Sequence, residues 1–459
     1  MTAQAGKTAN ANGQVSVSNS VMIILAFSAT AGVLVEFYDF FLYGYAAATA
    51  FPKLFFPGLS ASLALVFSYL TFGAGFPARV LGSFIFGHFG DRASRKYSFV
   101  INILIAGFAT FATGLLPGYA SIGLLAPILL VVLRIVQGIG LGGEFGGASS
   151  MLAELGSKRK HRAFWISLAN LGIPLGAMAA SSILIVFSGS FATTGWRIAM
   201  MLSAVIVLPA ILARYKLADS PLFNQIKRTN QLAKMPTFSV FKRYSRPIFL
   251  LAFVAAFQQM DGYVSGTYII SFMGSAGIPL ALTATIILVA RVGDILGIVA
   301  SGPFSNFFKR KGVAYAAIIL TTVLSYPFVL AILAKNIPLA MFFQFLVTLF
   351  GVGLLHGLAP VLNSESFPTK FRYSGAGISY NLSAVFGGML APSILAALIG
   401  KNALGGWYYI PLIYAIYAVI AIVALLFVRE TRDVALEDLD TSEAAASGQL
   451  VPQRVSTQV

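Results

Sequence analysis

Eight charged side chains lie inside long apolar stretches of this sequence. A charge in hydrocarbon costs about 2.5–3.5 kcal/mol, so each one needs a partner or a water-filled cavity. Five are acids and three are arginines: Glu36, Asp39, Glu144, Asp261, Asp294, Arg79, Arg134 and Arg291. Even with every arginine paired, two carboxyl groups remain, and an unpaired carboxyl in an apolar environment favours its neutral, protonated form. Carboxyl groups that load and release protons are what a proton-coupled carrier needs.

The spacing of these charges favours particular pairs. Glu36 and Asp39 are three residues apart and share one helix face, with Tyr43 a turn further along. Arg134 lies at a similar depth in a stretch that runs the opposite way, so we predict a buried pair of Arg134 with Glu36 or Asp39. Protonation of the carboxyl would then free Arg134 to take an anionic group of a substrate. The alternative is a static ion pair that only joins helices.

A second group of charges lies in the C-terminal part of the chain. Arg291 and Asp294 are also three residues apart and are predicted to satisfy each other in part, with Asp261 at a similar depth. We predict that these acids also contribute to proton coupling. His356 is interpreted as a packed core histidine, and Arg79 fits substrate contact and structural pairing equally well.

Other polar and aromatic side chains in the apolar stretches are predicted to line a substrate cavity. With Tyr43, Arg79, Arg134 and Arg291, the candidates are Gln137, Asn170, Gln258, Gln259, Tyr263, Tyr380 and Asn381. The chain has no cysteine, no His, Asp and Glu cluster with metal-ligand spacing, and no G-x-x-x-x-G-K-[ST] motif. We therefore expect no metal, no cofactor and no enzymatic activity, with the proton gradient as the energy source.

Composition identifies the elements that must position these residues. The 459 residues are 58% hydrophobic and 10% charged, whereas soluble domains carry about 25% charged residues. A window of about twenty residues finds twelve apolar spans. Numbered in chain order, they are 21–47, 62–87, 97–116, 124–153, 163–187, 196–217, 246–273, 280–307, 313–333, 338–364, 373–399 and 407–427. The alternation of a membrane barrel strand does not appear, so we predict an all-α protein with twelve transmembrane helices.

The basic residues predict how these helices are oriented. Of 31 Lys and Arg, three lie within spans and four lie in or beside one set of alternate loops. The others occupy both tails and the opposite set of loops, so both termini face the cytoplasm by the positive-inside rule. The net charge of +16 is therefore mainly a topology signal. We expect anionic lipids, not nucleic acid, as its partners in the cell membrane.

The chain is predicted to consist of two similar halves. The longest internal connector, 218–245, separates helical bundles over 21–217 and 246–428, and cytoplasmic tails cover 1–20 and 429–459, the latter expected to be disordered. The motif "GHFGDRASRK" after span 2 matches "GPFSNFFKRK" after span 8, and "AELGSKRKHRAF" after span 4 matches "SESFPTKFRYSG" after span 10. Duplicated bundles are typical of secondary transporters that hold a substrate between their halves.

Several motifs resemble those of a known family. "GHFGDRASRK" resembles the loop-two signature of the major facilitator superfamily, and "RIVQG" resembles its motif in span 4. "GGEFGGASSMLAE", "EFYDFFLYG" and "ESFPTKFRYSGAGISYN" resemble the metabolite:proton symporter family within that superfamily. The resemblance covers about residues 21–430. It implies a carrier of carboxylates such as citrate, 2-oxoglutarate or shikimate, or of proline and betaines.

The loop motif "GHFGDRASRK" and the related motifs after spans 4 and 10 are predicted to form a cytoplasmic gate. Asp91 can accept hydrogen bonds from a neighbouring helix N-terminus, while the cations hold adjacent loops and lipid headgroups. Such contacts break when the cytoplasmic side opens; the alternative is that these charges only set topology. The predicted gate residues are Gly87, Asp91, Arg92, Arg95, Lys96, Glu144, Glu154, Arg162, Glu365 and Arg372.

The glycine-rich segment of span 4 contains the pattern G-x-G-x-x-G. A dinucleotide-binding turn would need a preceding strand and a βαβ unit, and neither is predicted here. The segment is better explained as a stripe of small residues that lets span 4 approach a neighbouring helix closely. The packing glycines are Gly138, Gly142, Gly143, Gly146 and Gly147.

Together these observations favour a monomeric secondary transporter. We expect proton-coupled uptake of a small carboxylated or betaine-like zwitterionic metabolite by alternating access. The alternative is a proton-driven antiporter that exports a drug or metabolite. A channel is disfavoured, because channels are usually assembled from identical subunits around a pore.

Overall fold

The computed structural model describes residues 8–9, 15–16, 19–92, 95–142, 152, 162–215, 236–399 and 404–434. A two-residue antiparallel pairing of Thr8–Ala9 with Val15–Ser16 precedes the first helix. The rest of the described chain is almost entirely helical, and its helices follow the twelve predicted spans, whose numbers we keep.

The N-terminal half contains spans 1 to 6. Their helices are Asn19–Thr49 (span 1), Ala61–Gly73 and Gly75–Arg92 (span 2), Arg95–Leu115 (span 3), Leu125–Leu141 (span 4), Arg162–Ser167, Leu168–Leu171 and Gly172–Val186 (span 5), and Trp196–Tyr215 (span 6). Between the spans lie the short helices Phe51–Phe55 and Tyr119–Ile122 and the π-helical turn Phe191–Gly195.

The C-terminal half contains spans 7 to 12. Their helices are Pro236–Tyr263, Val264–Tyr268 and Ile269–Ser275 (span 7), Leu280–Phe307 (span 8), Arg310–Leu333 (span 9), Ile337–Val347, Thr348–Gly353 and Leu354–Glu365 (span 10), Thr369–Ala384, Val385–Met389 and Leu390–Ile399 (span 11), and Tyr409–Phe427 (span 12). Eight helical segments in the described residues are long and apolar enough to cross a membrane.

Two features of span 7 differ from the sequence prediction. Its helix begins at Pro236, inside the predicted connector, because proline is well suited to a first helical position. The backbone leaves helical geometry at Tyr244, close to Pro247, which lacks the N–H that would continue the helical hydrogen bonds. Residues 216–235 of the connector lie outside the described part of the chain.

Three spans of the C-terminal half contain π-helical turns. The π-helical turns of spans 7, 10 and 11 are Val264–Tyr268, Thr348–Gly353 and Val385–Met389. Such turns interrupt the regular backbone hydrogen bonds of a helix and often occur at functional positions. All three lie within the interior of their spans, and glycines of two of them lie against buried charges: Gly266 against Arg291, and Gly351 against Asp261.

The two halves contact each other at both ends of the spans. At the outer end, the Tyr69 hydroxyl donates to the carbonyl oxygen of Thr267 at 3.2 Å, and the Ser271 hydroxyl donates to the carbonyl oxygen of Ala48 at 3.3 Å. At the cytoplasmic end, Arg162 of the N-terminal half donates to Glu365 of the C-terminal half. Both entrances are therefore bridged in the described part of the structure.

The glycines of span 4 lie where this helix crosses span 2. Gly138 packs against the backbone of Gly75, and Gly142 packs against the backbone of Arg79 and the amide nitrogen of Ser83. A side chain at either glycine would therefore collide with backbone, which cannot move aside easily. Gly143, Gly146 and Gly147 lie outside the described residues.

We expect Gly142→Ala to lower the free energy of unfolding by about 1–3 kcal/mol, the usual effect of overpacking a close contact. A Cβ atom at this position would come within 2.5 Å of the Ser83 nitrogen. The thermal midpoint of the purified protein in detergent measures the effect. Gly58→Ala is the matched control, because a Cβ there meets no heavy atom within 4 Å; equal midpoints for both variants would contradict the proposed close packing.

Candidate functional site

Span 1 supplies residues to both halves of the buried site. Its sequence "EFYDFFLYG" places Phe40 against Arg79 and Arg134, with the guanidinium carbons 5.0 and 4.0 Å from the ring centroid. The next residue, Phe41, points to the other half, and its ring centroid lies 4.8 Å from the guanidinium carbon of Arg291. Span 1 therefore lies between the cations of the two halves.

Glu36 forms a buried ion pair with Arg79 of span 2. The direct pair of Glu36 with Arg134, one of the two predicted options, is therefore wrong for this structure. Arg79 Nε also donates to Asn381 Oδ1 at 3.3 Å, and Asn381 Nδ2 donates to the carbonyl oxygen of Gly142 at 3.3 Å. Because Asn381 belongs to span 11, the pair is linked to the opposite half.

Arg134 reaches Asp39 through two intervening side chains. Arg134 Nη1 donates to Gln137 Oε1 at 2.5 Å, and Gln137 Nε2 donates to the Thr110 hydroxyl at 2.8 Å. Thr110 in turn donates to Asp39 Oδ2 at 2.8 Å. The predicted direct contact of Arg134 with Asp39 is thus replaced by a chain of hydrogen bonds, because Gln137 lies one turn along the same helix and occupies the guanidinium.

Thr110 has two acceptors for one hydroxyl proton. Its oxygen lies 2.8 Å from Asp39 Oδ2 and 3.0 Å from the carbonyl oxygen of Ala106, one turn earlier in span 3. A hydroxyl group also accepts hydrogen bonds, and here it already accepts one from Gln137. The hydroxyl can therefore serve either an ionised or a protonated Asp39 by rotating.

The remaining contacts of Arg134 are to aromatic rings and to backbone. Its Nε donates to the carbonyl oxygen of Phe72 at 3.1 Å, and its guanidinium carbon lies 4.2 Å from the Tyr43 ring centroid and 4.9 Å from that of Phe72. Nη2 has no hydrogen-bond partner among the described residues. One edge of this buried cation is therefore available to an acceptor.

Tyr263 of span 7 joins an aromatic cluster across the interface between the halves. Its ring centroid lies 5.1–6.5 Å from the centroids of four rings of the N-terminal half, namely Phe40, Phe41, Phe72 and Phe76. Contacts at such separations are favourable and depend on orientation. The cluster fills the centre of the molecule between Arg134 and Arg291.

In the C-terminal half, Asp294 connects Arg291 to His356. Asp294 Oδ1 lies 3.1 Å from His356 Nδ1, and Asp294 Oδ2 lies 3.6 Å from Arg291 Nη1. His356, interpreted from the sequence as a packing residue, is thus a polar partner of a buried acid. Its backbone carbonyl also accepts a hydrogen bond from Asn170 Nδ2 of span 5 at 2.7 Å, which again links the halves.

Asp261 has a partner that the sequence analysis missed. The Tyr414 hydroxyl of span 12 donates to Asp261 Oδ1 at 2.7 Å. The second oxygen of Asp261 has no hydrogen-bond partner among the described residues, and Gly351 in the π-helical turn of span 10 leaves space beside it. Asp261 therefore faces spans 10 and 12, whereas Asp294 faces His356 and Arg291.

The other predicted cavity residues are all buried. Gln258 lines a small cavity with Leu251 and Asn363, and neither atom of its amide has a hydrogen-bond partner in the described structure. Gln259 packs against Gly387 in the π-helical turn of span 11. Tyr380 is fully buried.

Glu365 is the centre of the cytoplasmic contact between the halves. Its carboxylate accepts hydrogen bonds from Arg162 at 2.6 and 2.9 Å and from Arg310 at 3.1 and 3.2 Å. The Thr431 hydroxyl donates to it at 2.6 Å. Arg372, in contrast, donates from Nε to the carbonyl oxygen of Ser364 at 2.9 Å. Arg310 and Thr431 were not among the predicted gate residues.

Several predicted gate residues cannot be placed. Glu144 and Glu154 lie outside the described residues. Five others lie in described helices, but their surroundings are outside the described part of the structure: Gly87, Asp91, Arg92, Arg95 and Lys96.

The first residues of the predicted disordered tail are ordered against span 9. Glu430 accepts backbone hydrogen bonds from Arg310 at 3.1 Å and Lys311 at 3.0 Å, and so caps the start of that helix. Burial tends to raise the pKa of Glu430, but its backbone hydrogen bonds outweigh burial and lower the pKa below the usual value. A short polar sequence after span 12 is typical of a solvated end, so the sequence alone does not predict this contact.

The sequence of this chain is similar to a protein family and to known transport proteins. Residues 29–392 match the model described as Major Facilitator Superfamily. The inner membrane metabolite transport protein YhjE of Escherichia coli is 33% identical over 88% of this chain and 93% of its own length. The shikimate transporter of Escherichia coli is 32% identical over 84% of this chain and 90% of its own length.

The fold is also similar to that of a solved transporter. The proton:xylose symporter XylE superposes with a TM-score of 0.69 at 18% identity, covering 92% of this chain and 99% of that structure. At this identity the likeness concerns the fold: two six-helix bundles joined in one chain.

Proposed function

Because the chain belongs to the major facilitator superfamily and is an integral membrane transporter rather than an enzyme, we propose that it is a proton-coupled symporter. It takes up a small carboxylated or zwitterionic metabolite by alternating access. The observation that carries this proposal is the buried hydrogen-bond chain from Arg134 through Gln137 and Thr110 to Asp39.

The series of hydrogen bonds from Arg134 to Asp39 has two arrangements that differ by one proton. With Asp39 ionised, the Thr110 hydroxyl donates to the carboxylate. With Asp39 protonated, the carboxyl O–H donates to Thr110 Oγ, and the Thr110 proton turns to the carbonyl oxygen of Ala106 at 3.0 Å. Gln137 donates to Thr110 in both arrangements, so the Thr110 hydroxyl and the Gln137 Nε2 donor keep a partner whether or not Asp39 carries the proton.

Protonation also changes the electrostatic environment of Arg134. Once Asp39 is neutral, the guanidinium loses its nearest carboxylate in the chain and attracts an anionic substrate group more strongly. Nη2 of Arg134 has no partner among the described residues and is available to such a group. Proton binding therefore strengthens anion binding, and both ligands are released when the site opens to the cytoplasm.

Similar proteins transport substrates of the proposed kind or use the proposed coupling. One relative is a transporter of shikimate, which is a carboxylic acid, and the similar solved structure is that of a proton:xylose symporter. Both halves of the site come from one chain, so a monomer is sufficient. We propose lipid headgroups as the only further partners, bound at the basic cytoplasmic loops.

Transport into proteoliposomes tests the proposal. We expect an inward proton gradient to drive accumulation of a labelled carboxylate, and a protonophore to remove that accumulation. Expulsion of substrate by the same gradient would instead support the antiporter. Accumulation that is independent of the gradient would refute proton symport.

A further inference from the structure

Arg291 is a buried cation whose hydrogen-bond donors are unsatisfied. Its side chain is 0% exposed, and none of its three nitrogens has a hydrogen-bond partner among the described residues. By contrast, Arg134 uses Nε and Nη1 in hydrogen bonds. An unsatisfied buried donor costs about 1–3 kcal/mol. Binding of an acceptor by the Arg291 guanidinium would remove this cost.

Asp294 compensates the charge of Arg291 without satisfying its donors. The closest approach, between Arg291 Nη1 and Asp294 Oδ2, is 3.6 Å, longer than a hydrogen bond. The other oxygen of Asp294 is engaged by His356 at 3.1 Å. The acceptor that Arg291 lacks must therefore come from elsewhere.

The Arg291 side chain lies at the interface between the halves. Its guanidinium carbon is 4.8 Å from the centroid of Phe41 in span 1. The guanidinium also lies against Gly266 in the π-helical turn of span 7, where any larger side chain would collide with it. A ligand at Arg291 would therefore be in contact with both halves, as alternating access requires.

We propose that Arg291 binds the carboxylate of the transported substrate. The inference rests on the proposed transport function and adds a second binding group, on the half opposite to Arg134. A planar guanidinium with free donors binds a carboxylate through two parallel hydrogen bonds. The closely packed aromatic cluster around Tyr263 then contacts the apolar body of the substrate.

The same geometry selects against a substrate with a fixed positive charge. A quaternary ammonium group is recognised through the faces of aromatic rings. Here guanidinium groups already lie over four rings, with Arg134 over Phe40, Tyr43 and Phe72, and Arg291 over Phe41. These four rings are therefore less available to a quaternary ammonium group, so we expect the substrate to be an organic anion without a cationic group rather than a betaine.

Ligand-induced shifts of the thermal midpoint test this inference on the purified full-length protein at one fixed pH. The probes are benzoate, shikimate, succinate and glycine betaine. We expect at least one of benzoate, shikimate and succinate to stabilise the wild-type protein. Glycine betaine, which carries a quaternary ammonium group beside its carboxylate, should have no effect. Arg291→Gln should weaken carboxylate binding at least tenfold, and Arg291→Lys should weaken it less because the charge remains.

The unliganded midpoint separates a binding role from a structural one. Arg291→Gln removes no hydrogen bond of the described structure, but it leaves the buried Asp294 without its cation, so its midpoint without ligand should fall. Arg291→Lys keeps the charge beside Asp294, so its midpoint without ligand should stay close to that of the wild type while its carboxylate binding weakens. Arg432→Gln is the control, because that side chain is 35% exposed and lies outside the site. A lower unliganded midpoint with unchanged carboxylate binding would show that Arg291 is only part of an ion pair.

The outcomes also distinguish this inference from the proposed function. Binding needs no gradient, so carboxylate binding that depends on Arg291 without gradient-driven accumulation would refute symport and leave the binding site intact. Stabilisation by glycine betaine would refute the selection against cationic groups, and carboxylate binding unchanged in Arg291→Gln would refute the binding site; both results would leave symport standing.

Discussion

Asp39→Asn is expected to abolish proton-driven accumulation of substrate while exchange of substrate across the membrane continues. The amide resembles the protonated carboxyl in shape and can donate to Thr110, so the second hydrogen-bond arrangement becomes permanent. A carrier locked in the proton-loaded form can still bind and exchange substrate, but it cannot release the proton. Uptake with a gradient and counterflow without one, in proteoliposomes of the same variant, measure the two activities.

The pH dependence of binding gives a second measure of this variant. Wild-type affinity for an anion should rise as the pH falls, because protonation of Asp39 leaves Arg134 uncompensated. Asp39→Asn should bind with the high affinity at every pH. Asp433→Asn is the control, because Asp433 is a carboxylate with 75% of its side chain exposed. Accumulation by Asp39→Asn at the wild-type level would show that the proton binds elsewhere.

Glu365→Gln is expected to open the cytoplasmic side of the protein. The carboxylate binds Arg162 of one half and Arg310 of the other, and removal of one partner from a buried ion pair typically costs about 3–5 kcal/mol. The two arginines would then lie together without a counter-charge, and separation of the halves relieves their repulsion. The population that is open to the cytoplasm should therefore increase.

Distances between spin labels on the cytoplasmic ends of spans 5 and 10 measure this change directly. The chain contains no cysteine, so a pair of introduced cysteines gives specific labelling without further substitutions. Arg310→Lys is the matched comparison, because it keeps the charge beside Glu365 and should shift the distances less. Unchanged distances in Glu365→Gln would show that the contact between Arg162 and Glu365 does not hold the cytoplasmic side closed.

The membrane fold could be predicted from the sequence because its causes are local. The free energy of placing a residue in a membrane depends mainly on that residue, so twelve apolar spans and eight buried charges can be found by inspection. The basic loops predict orientation for the same reason. The short motifs shared by the halves indicate the duplication, and with it the interface where we propose that a substrate binds.

The partners of the buried charges were decided only by the tertiary structure. Depth in the membrane placed Arg134 level with Glu36 and Asp39, but helix rotation directs Glu36 to Arg79 and inserts Gln137 and Thr110 before Asp39. Sequence spacing limits which residues share a helix face, but it does not determine which faces meet.

The same reason applies to the residues that the sequence analysis missed. Thr110, Tyr414 and Thr431 are ordinary hydroxyl residues in sequence, and each becomes significant because a carboxylate from a distant segment lies within 2.8 Å of it. The sequence thus determined that charges are buried in a duplicated helical carrier. The packing of the helices determined which partner each charge meets, because hydrogen bonds depend on distances and angles between segments far apart in the chain.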